Sequence, residues 1–347
     1  MDEGKLDIKR LEKILKLKGF NNDGIISSGE VGADAASLDI SLAQRISQQY
    51  YNDFSDVYLI IKSDPVTFPT SEPGKYAVIV NSNDIACTGA IPYGFLSTII
   101  APKKTNFKEI ETIQKQIHQQ CIDLEISLLG GHTEISDSVE DIIISGHMIG
   151  FVPKESYIQN QLIEGESIII AGEIGAEGVG IIISEASGLL NNILEGEELK
   201  DGIEIGNKLS ISQIANVLNK KFHPTLIHDA TEGGLYGALS ELLQSRNVGI
   251  SLLEEPRIHP VLKKLSKWLE FDPYRVISSG LIIIAIPETK TDAILNYLSQ
   301  NKIPCSLIGS ITSEKGILRL GKQILEKPKG DEIIIALKNL ERIKNER

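Results

Sequence analysis

The chain has 347 residues, 41% of them hydrophobic, a length that suggests two domains and leaves room for sizeable cores. Its 35 basic residues against 47 acidic ones give a formal net charge of -12, and the lysines and arginines are scattered. That pattern argues against a nucleic-acid groove, which needs clustered cations, but not against a nucleotide, whose few phosphates can be neutralised locally by metal ions.

The N-terminus, MDEGKLDIKRLEKILKLKGF, is too charged for a signal peptide and predicts a helix over 6–18. No apolar run approaches bilayer length, so the expectation is a cytoplasmic protein without membrane contact. Short runs rich in Ile and Val predict strands over VYLII (57–61), YAVIV (76–80) and YGFLSTII (93–100). In NFKEIETIQKQIHQQCIDL, Phe107, Ile110, Ile113, Ile117, Cys121 and Leu124 recur at three- and four-residue steps, which predicts an amphipathic helix. A strand over 141–152 follows, then the polar stretch PKESYIQNQLIEGES (153–167), where the domain boundary is placed. The division expected is 1–155, 156–325 and a tail over 326–347. Beyond the boundary, strands are expected at 167–172, 281–287, 305–311 and 332–337, and helices at 177–190, 209–221, 233–246, 258–269 and 290–300. This order fits α+β or α/β, and periodicity alone does not choose between them. Cys87, Cys121 and Cys305 lack C-x-x-C spacing and give neither a disulfide framework nor a zinc site. Cys121 falls on the apolar helix stripe and reads as core; Cys87 reads as a small buried residue.

The informative feature is where the acidic residues fall. Asp34 sits in VGADAASLDI, Asp64 in LIIKSDPVTFP, Asp84 in VNSNDIACTGAIP, His132 and Glu134 in LLGGHTEIS, and Asp229 in LIHDATEGGL. Strand alternation puts Tyr58, Ile60, Lys62 and Asp64 on one face, so a cation and a carboxylate share a rim. Small neighbours around each acid let a phosphate approach the backbone. A phosphate-bound Mg²⁺ takes only one or two carboxylates, yet a single Asp at a strand end serves equally well as a turn or helix cap. AGEIGAEGVG (171–180) lacks both the G-x-G-x-x-G order and a P-loop lysine, and suits a tight strand-to-helix turn. TEGGLYGALSELL puts Gly233 and Gly234 at a helix start whose N–H groups could hold an anion. His228 is a candidate to contact phosphate or to orient Asp229, whereas His147 reads as an interior strand residue.

Seven segments in order, GADAASLD, KSDPVTF, VNSNDIACTGAIP, LLGGHTE, AGEIGAEGVGI, HDATEGGLYGAL and SSGLIIIAIP, cover roughly residues 30 to 315. As a set they resemble the PurM-like, AIR synthase-related superfamily. It includes aminoimidazole ribonucleotide synthetase, the hydrogenase-maturation protein HypE, thiamine-monophosphate kinase and selenide water dikinase. The resemblance implies a two-domain α+β fold and a homodimer whose N-terminal domains pair into a β-barrel, with ATP and Mg²⁺ beside it. It implies Asp34, Asp64, Asp84 and Asp229 as metal or triphosphate carboxylates, with Glu134 or His132 replacing the acid usual in GGHTE. Asn81 and Asn83 would form a polar shelf at a strand's end. Gly130, Gly131 and Thr133 would turn against the phosphates, and Gly233 and Gly234 would bind them too. Asp64, Asp84 and His132 would take part in catalysis.

DATEGG is most similar to HypE's D-P-T-x-G-G. HypE ends in a cysteine whose thiocarboxamide is dehydrated, whereas LKNLERIKNER contains none, so the expected substrate is a separate molecule. The expectation is an ATP- and Mg²⁺-dependent enzyme that phosphorylates an oxygen of a small or protein-bound substrate in metalloenzyme maturation, with a maturation partner protein. Two alternatives stand: a purine enzyme of the aminoimidazole ribonucleotide synthetase type, and a non-catalytic nucleotide-binding maturation partner.

Overall fold

A computed structural model describes residues 4–5, 8–28, 35–51, 56–67, 70–186, 188–244 and 246–346. The chain divides into two units, Met1–Tyr157 and Ile158–Arg347, and the break falls inside the polar stretch 153–167.

The first unit runs β1 (Gly4–Lys5), α1 (Ile8–Leu15), β2 (Ile25–Ser27), β3 (Ser37–Leu38), α2 (Leu42–Ile46), β4 (Val57–Val66), α3 (Pro73–Cys87), β5 (Ile91–Ala101), α4 (Phe107–Asp123), β6 (Ser127–Ile135) and β7 (Ile143–Pro153). Its main sheet has the order β1-β6-β5-β7-β4 among the described residues. β5 and β6 are parallel, joined through α4, and β7 pairs antiparallel with both β5 and β4. Asn106 caps α4 by accepting from the Glu109 N–H at 3.0 Å. The α4 stripe Ile110, Ile117 and Cys121 is wholly buried, as are Phe95, Ile99, Ile144 and Met148 of the sheet.

Register matters here because it sorts side chains between two faces. Asp64 lies opposite Gly146, Gly146 opposite Ser97, and Ser97 opposite Gly131, so these four share one face. A side chain at Gly131, whose φ is +155°, would put its Cβ 2.0 Å from the Ser97 carbonyl oxygen; only glycine lets the two strands meet there. Gly130-Gly131-His132 is therefore ladder within β6, not the expected turn.

The strand expected at 76–80 is instead part of α3. Pro73 opens the helix, where its missing N–H costs nothing. Tyr76, Ala77, Val78, Ile79, Ile85 and Ala86 are then buried on nearly every side. A helix apolar all round has no stripe, and its short Ile/Val run imitates a buried strand.

The second unit runs β8 (Ser167–Ala171), α5 (Ala176–Glu185), α6 (Gly196–Asn207), α7 (Ser212–Phe222), β9 (Leu226–Asp229), α8 (Gly234–Leu243), β10 (Gly249–Leu252), α9 (Pro260–Leu269), β11 (Ile282–Ile286), α10 (Thr291–Gln300), β12 (Cys305–Thr312), β13 (Leu318–Leu320), β14 (Gln323–Ile324) and α11 (Ile333–Asn345). Its sheet has the order β14-β13-β10-β12-β8-β11-β9 among the described residues. β8 and β11 are buried at every position, which is why both read as unbroken apolar runs.

The strand expected at 332–337 is also a helix. Asp331 accepts from the Ile333 N–H at 2.7 Å, and Ala336 and Leu340 are buried four residues apart. α11 packs against α9 and α5, so this segment belongs to the second unit rather than to a tail.

Candidate metal and nucleotide site

In the first unit, β4 presents Lys62 and Asp64 on the face that α3 covers, and α3 supplies Asp84. The Lys62 Nζ lies 2.6 Å from Asp84 Oδ2 and 3.4 Å from Asp64 Oδ2. All three side chains are partly exposed. Burial pushes the Asp84 carboxyl up and Lys62 draws it back, with the net effect upward. For Lys62, burial works against its charge, but the hydrogen bond and field of Asp84, with those of Asp64, outweigh it and raise its pKa.

Asn81, one turn before Asp84, fixes α3 to the strand. Its Nδ2 donates to the Asp64 carbonyl at 3.2 Å and to the Ala77 carbonyl at 2.8 Å, while its Oδ1 is buried without a hydrogen-bond partner. Gly146 makes room for it: a Cβ there would stand 2.4 Å from Asn81 Nδ2. Asn81 and Asn83 are wholly buried, so they form no open shelf at a strand end. They are helix residues, and Asn81 acts as a clamp.

Two carboxylates converging on one ammonium are a suitable donor set for a divalent ion that keeps water and phosphate in the rest of its shell. Within the first unit, Glu134 and His132 do not join them. Leu96, Thr98 and Ile100 pair with Gly130, His132 and Glu134, one residue out of step with the Asp64 row. Alternation therefore places His132 and Glu134 on the opposite face, where His132 Nε2 is 3.2 Å from Glu134 Oε2. Within one chain, Glu134 and His132 therefore stand on the other side of the sheet from Asp64 and Asp84. Thr133 points to the helix-covered face and is buried. Asp34 lies outside the described residues. Among the described residues, no group of three or more His, Cys, Asp or Glu side chains is placed to hold a metal ion.

In the second unit, Asp229 ends β9 opposite Ile282 and is 3% exposed. His228, adjacent on the strand, points the other way and cannot orient it. Burial and the nearby Arg246 hold the His228 imidazole down to about 4, so it carries no charge for a phosphate at neutral pH. The N–H groups of Gly233 and Gly234 are already used: Asp331 Oδ2 accepts from Gly233 at 2.7 Å, and the Thr231 carbonyl accepts from Gly234 at 3.1 Å. Asp331 also accepts from Ile277 at 3.2 Å. An acid 98 residues from Gly233 thus fills the expected anion site, and no local motif signals it.

Glu177, hidden among the glycines of AGEIGAEGVG, was likewise not singled out by motif. It is 0% exposed, and neither carboxyl oxygen makes a well-aligned hydrogen bond, although the hydroxyl and backbone N–H of Ser279 lie close by. Burial pushes the Glu177 carboxyl up to about 7, with the fields of Asp331 and Glu232 adding to it and Ser279 opposing.

Residues 32–152 match the N-terminal domain model of AIR synthase related protein, and residues 164–320 match its C-terminal domain model. A Methanocaldococcus jannaschii protein assigned to hydrogenase expression/formation is 31% identical over 278 residues, 78% of this chain and 80% of that protein. The carbamoyl dehydratase HypE of Escherichia coli is 24% identical over 296 residues, 83% of each. A crystal structure of HypE in complex with ATP has the same fold, with a TM-score of 0.73, 20% identity and coverage of 94% of this chain and 96% of that one. The chain therefore belongs to the AIR synthase related protein family and has its two-domain, PurM-like α+β fold.

Proposed function

We propose that the protein is an ATP- and Mg²⁺-dependent enzyme that transfers phosphate to an oxygen of a substrate in metalloenzyme maturation. The observation that carries this reading is the convergence of Asp64 and Asp84 on one cation, in a chain whose relatives include carbamoyl dehydratases. A bound Mg²⁺ would supply neutralisation of the phosphate charge. Asp64 and Asp84 would hold it, Asn81 would keep helix and strand in register, and Lys62 would offer a positive charge beside them. A carbamoyl oxygen suits such a site: once phosphorylated it departs as phosphate, so its loss from carbon becomes feasible without strong acid.

The test is calorimetric titration of the pure protein with ATP in the presence and absence of Mg²⁺, followed by phosphate release with carbamoyl-bearing substrates. Absence of Mg²⁺-dependent ATP binding would overturn the proposal. The paired carboxylates, with no third acid beside them among the described residues of the first unit, also favour a second reading, a maturation partner that binds nucleotide without turnover. Tight ATP binding with no phosphate release on any carbamoyl substrate would select it.

A homodimer is part of the same proposal. Leu59 and Ile61, 52% and 68% exposed, lie on edge strand β4 and leave an apolar face that a second copy would cover. Sedimentation showing a stable monomer would count against it. Among the described residues, no helix is long and apolar enough to cross a membrane.

A further inference from the structure

We propose that Lys62 is a built-in counter-ion that keeps the Asp64–Asp84 pair from taking a bare divalent cation and releases the pair when nucleotide phosphate draws its ammonium aside. This rests on the functional reading above and deepens it by setting the order of binding: metal arrives with nucleotide, not before it.

The geometry carries the argument. The ammonium stands 2.6 Å from Asp84 Oδ2 and 3.4 Å from Asp64 Oδ2, where a cation shared by those oxygens would sit. Two carboxylates and one ammonium sum to a single negative charge, half of what the carboxylates alone would offer a dication. A divalent ion entering this place meets a like charge at close range, and must either expel the lysine or bind weakly.

The backbone cannot carry Lys62 away. Lys62 and Asp64 are locked in the β4–β7 ladder opposite Met148 and Gly146. The Asn81 bridge to the Asp64 carbonyl ties the helix bearing Asp84 to the same strand. Only rotation about the lysine's four-carbon stem can clear the site, and a compact ammonium on a flexible stem is suited to move to an adjacent phosphate oxygen. The side chain is 36% exposed, so it has space to turn. An ordinary exposed ion pair would contribute little to the fold; one that straddles both candidate metal carboxylates acts on whatever binds them.

The test uses the full chain, with Mn²⁺ as the probe and its paramagnetic resonance signal reporting free ion, so no turnover is needed. Wild type, K62M and K62R are titrated with Mn²⁺ alone and with Mn²⁺ plus a non-hydrolysable ATP analogue, ion bound to the chain being the excess over the same analogue titrated without protein. K62M is expected to bind bare Mn²⁺ at least about tenfold more tightly than wild type, since a full cation is removed at contact distance. K62R should stay weak, and adding D64N to K62M should abolish the gain. Nucleotide should strengthen Mn²⁺ binding more in wild type than in K62M. Wild type binding Mn²⁺ with nucleotide while K62M gains nothing for the bare ion would overturn this inference alone. Wild type failing to bind Mn²⁺ even with nucleotide would overturn the functional reading and this inference with it. K62Q, which keeps a polar end without charge, repeats the comparison if K62M does not fold.

Discussion

Replacing Glu177 by glutamine should change how stability depends on pH, and by an amount set by burial. The carboxyl is 0% exposed, and burial, only partly offset by Ser279, holds its pKa at about 7 against an ordinary value of 4.5. The folded state therefore holds this proton more tightly than the unfolded chain. Its contribution is fully present below pH 4.5 and is lost as pH rises through about 7. At ~1.4 kcal/mol per tenfold change in proton affinity, the loss comes to about 3 kcal/mol. Glutamine has nearly the same shape and cannot ionise. E177Q should thus gain on wild type by about 3 kcal/mol between pH 4.5 and 8.

The assay is urea unfolding of both proteins across that range, followed by fluorescence of Trp268, the sole tryptophan, which lies on α9 in the same unit. The difference curve isolates Glu177 from other titrating groups. His228, held down to about 4, has the opposite sign: its contribution is present above the ordinary value of 6.5 and lost as pH falls. It acts in both proteins and cancels. Asp331 and Glu232, whose fields reach Glu177, are unchanged by the substitution. A difference that stays flat with pH would refute the reasoning, because it would mean that Glu177 keeps an ordinary acidity in the fold.

Three further outcomes are expected. Asp84→Asn should weaken ATP binding with Mg²⁺ at least about tenfold by calorimetry while shifting Tm little, because a partly exposed ion pair contributes only about 0–1 kcal/mol; unchanged affinity would return Asp84 to a structural role. Gly131→Ala should cost about 3 kcal/mol or leave the first unit unfolded, since its Cβ would meet the Ser97 oxygen at 2.0 Å. Gly196→Ala, with nothing within 4 Å, serves as the near-neutral control in the same denaturation series. Asp331→Ala should lower Tm markedly, because three backbone N–H groups, those of Gly233, Ile277 and Ile333, lose their acceptor at about 1–3 kcal/mol each if left buried and unpaired.

The parts of this protein that local physics determines were legible in its residues. The α4 stripe buries one face and exposes the other, so its period shows. β8 and β11 are covered on both sides, so their Ile runs show as well. The same signal fails for α3. A helix enclosed by the sheet on one side and α4 on another needs apolar residues all round, and only the third dimension distinguishes it from a strand. In α11, three isoleucines in a row favour a strand locally. The Asp331 cap and the burial of Ala336 and Leu340 decide for helix instead.

The candidate site divides along the same line. Lys62 and Asp64 sharing a rim follows from alternation within one strand and needs no partner. Asp84 meeting them depends on a helix crossing that strand, where the sequence predicted a strand; only the family resemblance implied that the acids converge. Whether His132 and Glu134 could join depends on something neither local pattern nor motif order contains: a bulge between β5 and β6 sets which of two consecutive residues faces the helices. A shift of one residue there would exchange Gly131 and Thr133 for His132 and Glu134 on the face beside Asp64. The contact between Gly131 and the Ser97 carbonyl fixes that choice. The composition of the site therefore rests on a glycine with no chemistry of its own, and on the lysine that shares the two remaining acids.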